Sequence, residues 1–272
     1  MPLTRLQHMV AEVLRPFRDE HNFVAGGVSL NQRWPRLSDD MDIFHDRRNQ
    51  LPNQVEPELR ALRDTGFSVE ITTEDEWMVE AIVRKFGFET RVQWMDEPET
   101  CRRFFPALID DELGFRLHQA DVAVNKVLCA SRRREARDAV DIATIVHHYA
   151  PLGPLVWAAG AKETAESPLQ LVQNIRTNAF SFSDEEIRTV RMDDGQTMTR
   201  NQLRENIAHA LGAARRYCEE VAPPNYLGCL FVDENDKPVE ADAAALAIGS
   251  IRAIPLTDFS TVPAIGDSAP RS

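Results

Sequence analysis

From residue 3 to about residue 21, apolar positions recur at three- and four-residue spacing, with Leu6, Met9, Val10, Val13 and Leu14 on one stripe. That spacing predicts an amphipathic helix, interrupted at Pro16, whose ring cannot continue a hydrogen-bonded helix interior. Phe23-Val24-Ala25 then reads as a short strand running into Gly26-Gly27. Val28-Ser29-Leu30 can open a helix whose first amide N–H groups point back at that turn, and Pro35 stops it early. Met41-Asp42-Ile43-Phe44 predicts a second strand, and residues 56–64 a helix closed by Gly66. Residues 67–72, 78–85 and 88–95 are rich in branched and aromatic side chains and predict a meander, with Gly87 in its last turn.

From about residue 119 the pattern turns helical for most of the remaining chain, over residues 121–130, 134–149, 155–166, 169–177 and 201–221. The last of these carries Leu203, Ile207, Leu211 and Ala214 on one face. A small hairpin is expected over residues 229–239, around Glu234-Asn235-Asp236. At 272 residues the chain exceeds what one compact core usually holds. The change of pattern therefore sets the expected organisation: a first domain over 1–118, a mainly helical lobe over 119–254 completing a cleft, and a loosely held tail over 255–272.

Composition narrows the class. A hydrophobic fraction of 43% with 27% charged residues is that of a globular protein and excludes disorder. The first residues lack the continuous apolar run of a signal peptide or membrane span, so a cytoplasmic protein with no membrane partner is expected. Cys101, Cys129, Cys218 and Cys229 have no metal-ligand spacing and read as reduced thiols. A net charge of −12 argues against broad nonspecific affinity for nucleic acid, which comes from Lys and Arg replacing counterions. Basic residues nevertheless cluster at Arg33 and Arg36, Arg47 and Arg48, Arg102 and Arg103, and Arg132 to Arg134 with Arg137. Each such cluster is more commonly a solvated face than part of a basic cleft.

Chemistry concentrates in Asp40-Met41-Asp42-Ile43. The period of two along a strand puts both carboxylates on one face and the apolar pair on the other. Two carboxylates this close repel each other unless a divalent cation or a basic partner compensates, and Mg²⁺ prefers such oxygens together with substrate phosphates. Metal held there could activate an attacking oxygen and stabilise a leaving pyrophosphate. An isolated Asp-x-Asp is more often merely solvated. The Gly26-Gly27 turn upstream raises the signal, because glycine lets the backbone approach a triphosphate closely. Lys126, amid Val122, Val124, Val127 and Leu128, could reach a phosphate, but a lone lysine more commonly snorkels from an apolar face. Four-residue offsets pair Arg134 with Asp138 and Arg137 with Asp141, a ladder that is either purely structural or orients Asp138 towards a cleft. No catalytic triad, zinc-ligand spacing, Walker loop or dinucleotide fingerprint occurs.

Taken in order, Val24-Ala25-Gly26-Gly27-Val28-Ser29-Leu30 and Pro35-Arg36-Leu37-Ser38-Asp39-Asp40-Met41-Asp42 resemble the first motif of AbiEii-type nucleotidyltransferases. Arg103-Phe104-Phe105-Pro106, the segment Leu117-His118-Gln119-Ala120-Asp121-Val122-Ala123-Val124-Asn125-Lys126-Val127-Leu128, and Arg137-Asp138-Ala139-Val140-Asp141 look like later blocks of that family. The resemblance spans roughly residues 20 to 150. It implies an α+β fold, a polymerase-β-like nucleotidyltransferase mixed sheet with flanking helices, followed by a mainly α-helical lobe. It further implies that Gly26, Gly27 and Ser29 hold a triphosphate, Asp40 and Asp42 hold Mg²⁺ (Mn²⁺ as the alternative), Lys126 contacts a phosphate, and Asp138 and Asp141 form the last motif. The family includes toxins of toxin–antitoxin and phage-defence systems, and some relatives act on tRNA ends. The function so implied is transfer of a nucleoside monophosphate from an NTP to an acceptor, RNA or tRNA first, with a protein or small molecule open. A cognate antitoxin is a possible partner. Two departures favour a rival reading, a catalytically degenerate protein that binds a nucleotide or partner. Glu135 and Arg137 stand where the family often has Arg and Lys. Gln93 stands where a third carboxylate is expected, with Glu80 or Glu89 as substitutes.

Overall fold

The computed structural model describes residues 3–32, 34–46, 51–96, 102–162, 166–193 and 198–259. The chain divides into two compact units, Met1–Gln119 with Thr257–Ser272, and Ala120–Leu256.

In the first unit, α1 (Arg5–Leu14) opens with a capping box in which the Thr4 hydroxyl accepts from the Gln7 amide and the Gln7 side chain returns to the Thr4 N–H. Pro16 tightens the next three residues, Arg15–Phe17, into a 3₁₀ turn, so the first helix is shorter than its apolar stripe. Then come β1 (Asn22–Ala25), α2 (Gly26–Leu30), β2 (Asp40–His45) and α3 (Leu51–Asp64). The meander is β3 (Ser68–Glu74), β4 (Met78–Lys85) and β5 (Phe88–Met95). Phe86 and Gly87 both have positive φ, at 53° and 80°, as a two-residue hairpin turn demands. Three short strands come next, β6 (Arg102–Arg103), β7 (Leu108–Asp110) and β8 (Gly114–Arg116).

Seven of these strands form one mixed sheet in the order β3-β4-β5-β2-β1-β8-β7. β2 runs parallel to β5 and antiparallel to β1, which places it at the sheet centre. The period of two then decides what each face carries. Met41, Ile43, Val79, Ala81, Val83, Val92 and Trp94 are buried on one side, packed with Leu6, Val10 and Leu14 of α1 and Val55, Leu59 and Leu62 of α3. Asp40, Asp42, Gln93 and Glu80 therefore share the other side. Beneath the core side, Glu58 accepts from the Trp94 indole at 2.7 Å and pairs with Arg18.

The second unit is mainly helical: α4 (Gln119–Arg132), α5 (Ala136–His148), α6 (Leu152–Lys162), α7 (Pro168–Ala179), α8 (Asp184–Arg188) and α9 (Arg200–Arg216). α9 buries Leu203, Ile207, Leu211 and Ala214, the face its periodicity defines. A π turn, Tyr217–Val221, closes it, and Tyr217 packs with Trp157 and Phe231. The remaining elements are β9 (Leu230–Val232), α10 (Ala243–Ala247) and β10 (Arg252–Ile254). The small hairpin expected over 229–239 forms in short measure: Val232 bridges Pro238, the Asp233 N–H donates to the Lys237 carbonyl and the Val239 N–H to the Phe231 carbonyl, each at 3.0 Å, while the longer ladder of β9 is with β10. Proline has no N–H with which to add to the hairpin.

Two further expectations change. The tail does not begin loosely, because β11 (Thr257–Asp258) pairs with β6, and Phe259 lies against the Arg103 guanidinium at 4.3 Å from its ring centre. Arg103 itself is no solvated cation. It is buried over the Phe23 ring and bonded to Asp46 at 2.6 Å. Arg33, Arg47, Arg48 and Cys101 lie outside the described residues, and Cys129, Cys218 and Cys229 are free thiols. Among the described residues no helix is long and apolar enough to cross a membrane.

Candidate active site

Asp40 and Asp42 open β2 on the face away from the core, and the local sequence explains how each is held. The Ser38 hydroxyl donates to Asp40 Oδ1 at 2.9 Å. Ser38 is itself tied down, since the buried Gln7 side chain donates to its carbonyl at 3.0 Å and to the Thr90 hydroxyl at 3.2 Å. The α1 cap thus braces the loop that delivers Asp40. Ser38 stands within the 35–42 motif and Gln7 at the capping-box spacing from Thr4, but no local pattern ties Gln7 and Thr90 to the loop that holds Asp40. Their role comes from a contact across 83 residues.

Gly26 has φ +61°, and a Cβ built on it would lie 2.6 Å from Asp42 Cγ. Asp42 therefore occupies the space that any other residue at position 26 would need. A Cβ on Gly27 would meet the Ser38 hydroxyl at 2.5 Å and the Arg36 guanidinium. The two glycines are thus required by side chains of the chain itself, and they press the turn against the carboxylate strand. Ser29 is buried, with its hydroxyl directed at the Leu117 carbonyl at 3.4 Å.

The sheet register aligns the rest of this face. Asp42 lies opposite Ala25 on β1 and Gln93 on β5, and Gln93 lies opposite Glu80 on β4. Gln93 Nε2 donates to Glu80 Oε2 at 2.7 Å, and Thr72 donates to Glu80 Oε1 at 2.7 Å. The Thr72 bond, with help from Gln93 and Arg91, holds the Glu80 carboxyl below its ordinary pKa. Glu89 is engaged elsewhere, with Arg84 at 3.0 Å. Of the two acids that could stand in for a third carboxylate, Glu80 is the one aligned with Asp42. Two aspartates fit Mg²⁺, which binds through one or two carboxylates and completes its shell with substrate oxygens and water. Among the described residues no group of three or more His, Cys, Asp or Glu could hold a metal by itself. Substrate oxygens would have to supply the remainder.

Lys126, Asp138 and Asp141 come together in the second unit. Lys126 is buried and does not snorkel: its Nζ lies 2.8 Å from Asp141 and 3.6 Å from Asp138, both fully buried. The expected pair Arg134–Asp138 does not form. α5 starts at Ala136, so Arg134 precedes the helix and the four-residue rule does not reach it. Arg134 pairs instead with Glu186 at 2.7 Å. Arg133 takes Asp138 through two bonds, at 2.7 and 3.2 Å, and this bond keeps its guanidinium firmly charged. A cation beside Asp138 is thus Arg133, two residues before Glu135. A second buried lysine, Lys162, pairs with Asp121 at 3.4 Å and Asn125 at 2.8 Å. Lys162 is the last residue of α6, where a lysine is an ordinary helix-end cation, so nothing in the sequence marks it.

No protein-family profile matches the chain, and no curated protein matches it in sequence. The seven-stranded mixed sheet with flanking helices is nevertheless the α+β polymerase-β-like nucleotidyltransferase fold. Among solved structures the chain is similar to MenT4, a nucleotidyltransferase toxin from Mycobacterium tuberculosis H37Rv, with a TM-score of 0.50 and 17% identity, over 76% of this chain and 82% of that one. An H. pylori protein provisionally named a nucleotidyltransferase gives a TM-score of 0.48 and 15% identity, over 80% of this chain and 98% of that one. At these identities the likeness is one of fold.

Proposed function

We propose that this chain is a Mg²⁺-dependent nucleotidyltransferase that moves a nucleoside monophosphate from an NTP to an acceptor, RNA or tRNA first. The observation that carries the proposal is the seating of Asp42 in the space left by Gly26, beside Asp40, at the start of the central strand. The fold supports it. When bound, Mg²⁺ would supply charge neutralisation for the triphosphate and its leaving pyrophosphate. The chain's own contribution is positioning. Ser38 holds Asp40, Gly26 admits Asp42, and the Gly26-Gly27 backbone with Ser29 is assigned to the triphosphate. Lys126 is assigned to a phosphate, with Asp138 and Asp141 as its supporting carboxylates.

The AbiEii-type assignment, and with it a toxin or phage-defence role and a cognate antitoxin as partner, rests on the motif residues 24–30, 35–42, 103–106, 117–128 and 137–141. A net charge of −12 keeps a protein or small-molecule acceptor open beside RNA. The binding-only alternative draws on the neutral Gln93 and on the enclosure of Lys126 by two carboxylates.

The test is transfer of label from each α-³²P NTP to total cellular RNA and to the protein itself, with Asp42→Ala as control. Label on RNA, absent with Asp42→Ala, is the expected result and names the base. Label on protein redirects the acceptor. No transfer above the control from folded protein with any NTP, and no Mg²⁺-dependent NTP binding, would sink the enzymatic reading.

A further inference from the structure

We propose that Glu80 is a positioning residue that acts through Gln93, fixing the amide so that its carbonyl oxygen serves as a third protein oxygen beside Asp42. This inference rests on the reading of Asp40 and Asp42 as cation ligands.

The register carries the argument. Asp42, Gln93 and Glu80 are direct partners across three adjacent strands, and their side chains stand on one face. Neighbouring strands lie about 4.8 Å apart, so Gln93 is one step from Asp42 and Glu80 two steps. A carboxylate only accepts hydrogen bonds, whereas an amide donates from nitrogen alone. The 2.7 Å bond from Gln93 Nε2 to Glu80 Oε2 therefore decides which way the amide faces. Turning it over would set two acceptor oxygens against each other. Oε1 is left directed away from Glu80, and among the described residues it accepts no hydrogen bond.

Glu80 is built to hold this orientation. Thr72 bonds its other oxygen at 2.7 Å, and Arg91 stands 3.7 Å from the oxygen that Gln93 uses. Its side chain is largely shielded, whereas Glu89 on the same face of β5 is exposed and bound to Arg84. An anion accepting the amide N–H also makes the carbonyl oxygen a better donor to a cation. A carboxylate one strand away can thus serve the cation without touching it.

The experiment is titration of the full-length protein with Mn²⁺ alone, read by electron paramagnetic resonance of the free ion, with thermal midpoints recorded for every variant. Glu80→Gln keeps the shape but removes the charge and puts a donor beside the acceptor, so the side chain at position 80 no longer dictates which way the Gln93 amide faces. It is expected to weaken Mn²⁺ about tenfold, the scale on which partners of metal ligands act. The exchange of both residues, Gln93→Glu with Glu80→Gln, restores a carboxylate–amide pair, now with the carboxylate nearer Asp42, and is expected to recover wild-type binding. Glu89→Gln should leave binding unchanged. Wild-type affinity in Glu80→Gln, or an exchange variant as weak as the single one, would overturn the proposal. Asp42→Ala separates the two levels. If it binds Mn²⁺ as tightly as wild type, the cation reading itself fails. If it loses Mn²⁺ while Glu80→Gln does not, only the role of Glu80 fails.

Discussion

Gly26→Ala tests whether the turn and the carboxylate strand form one unit. At φ +61° an alanine costs about 1–2 kcal/mol, because its Cβ crowds the following carbonyl. That Cβ would also lie 2.6 Å from Asp42 Cγ and closer still to Asp42 Oδ2, and carbon atoms in contact sit at about 3.5–4.0 Å, so the Asp42 carboxylate must retreat by at least about 1 Å. The side chain is only partly buried and can move, which keeps the packing penalty small. A total loss of about 2 kcal/mol corresponds to a melting temperature lower by roughly 4–8 °C. The effect on chemistry is larger in kind, since a misplacement of about 1 Å at a reacting centre costs about a hundredfold in rate. The assay is transfer from the preferred α-³²P NTP, run well below the variant's midpoint, with Mn²⁺ affinity as the second readout. Gly87→Ala is the control. Its φ is +80° but nothing lies within 4 Å of the added methyl, so it should lose comparable backbone stability and keep full activity. A folded Gly26→Ala protein that transfers and binds Mn²⁺ like wild type would refute the argument.

Three other outcomes are expected. Burial first, and the nearby Arg18 second, push the His45 imidazole down to about 4 from 6.5. The unfolded chain therefore takes up a proton that the folded one refuses as pH falls from 6.5 to 4, and stability declines across that window by about 3 kcal/mol in full. Urea unfolding of His45→Gln between pH 7 and 4 should show a flatter decline than wild type, and identical slopes would refute the assignment. Lys126→Met leaves Asp141 and Asp138 buried without their shared cation and should cost about 3–5 kcal/mol. Asp42→Ala should leave the melting temperature unchanged. Equal stability of the two variants in urea would show that Lys126 is not the internal counter-ion described here.

What the sequence alone determined is local and periodic. The alternation in Asp40-Met41-Asp42-Ile43 places two carboxylates on one face whatever surrounds them, because a strand has no other way to set its side chains. The glycines at 26, 66 and 87 mark turns because positive φ is cheap only there. The stripe of α9 and the three strands of the meander arise from apolar spacing in the same way. Tertiary structure decided everything that depends on partners distant in the chain. β7 and β8 are three residues each, too short to show a period, yet β8 joins the sheet beside β1. Thr257 and Asp258 read as tail and become strand because β6 offers them unpaired backbone groups. Arg134 sits at the right offset from Asp138 but outside the helix, so Arg133 takes its place. Glu80 gains its place opposite Gln93 from the register of the meander, which the pairing of whole strands sets and no single residue announces.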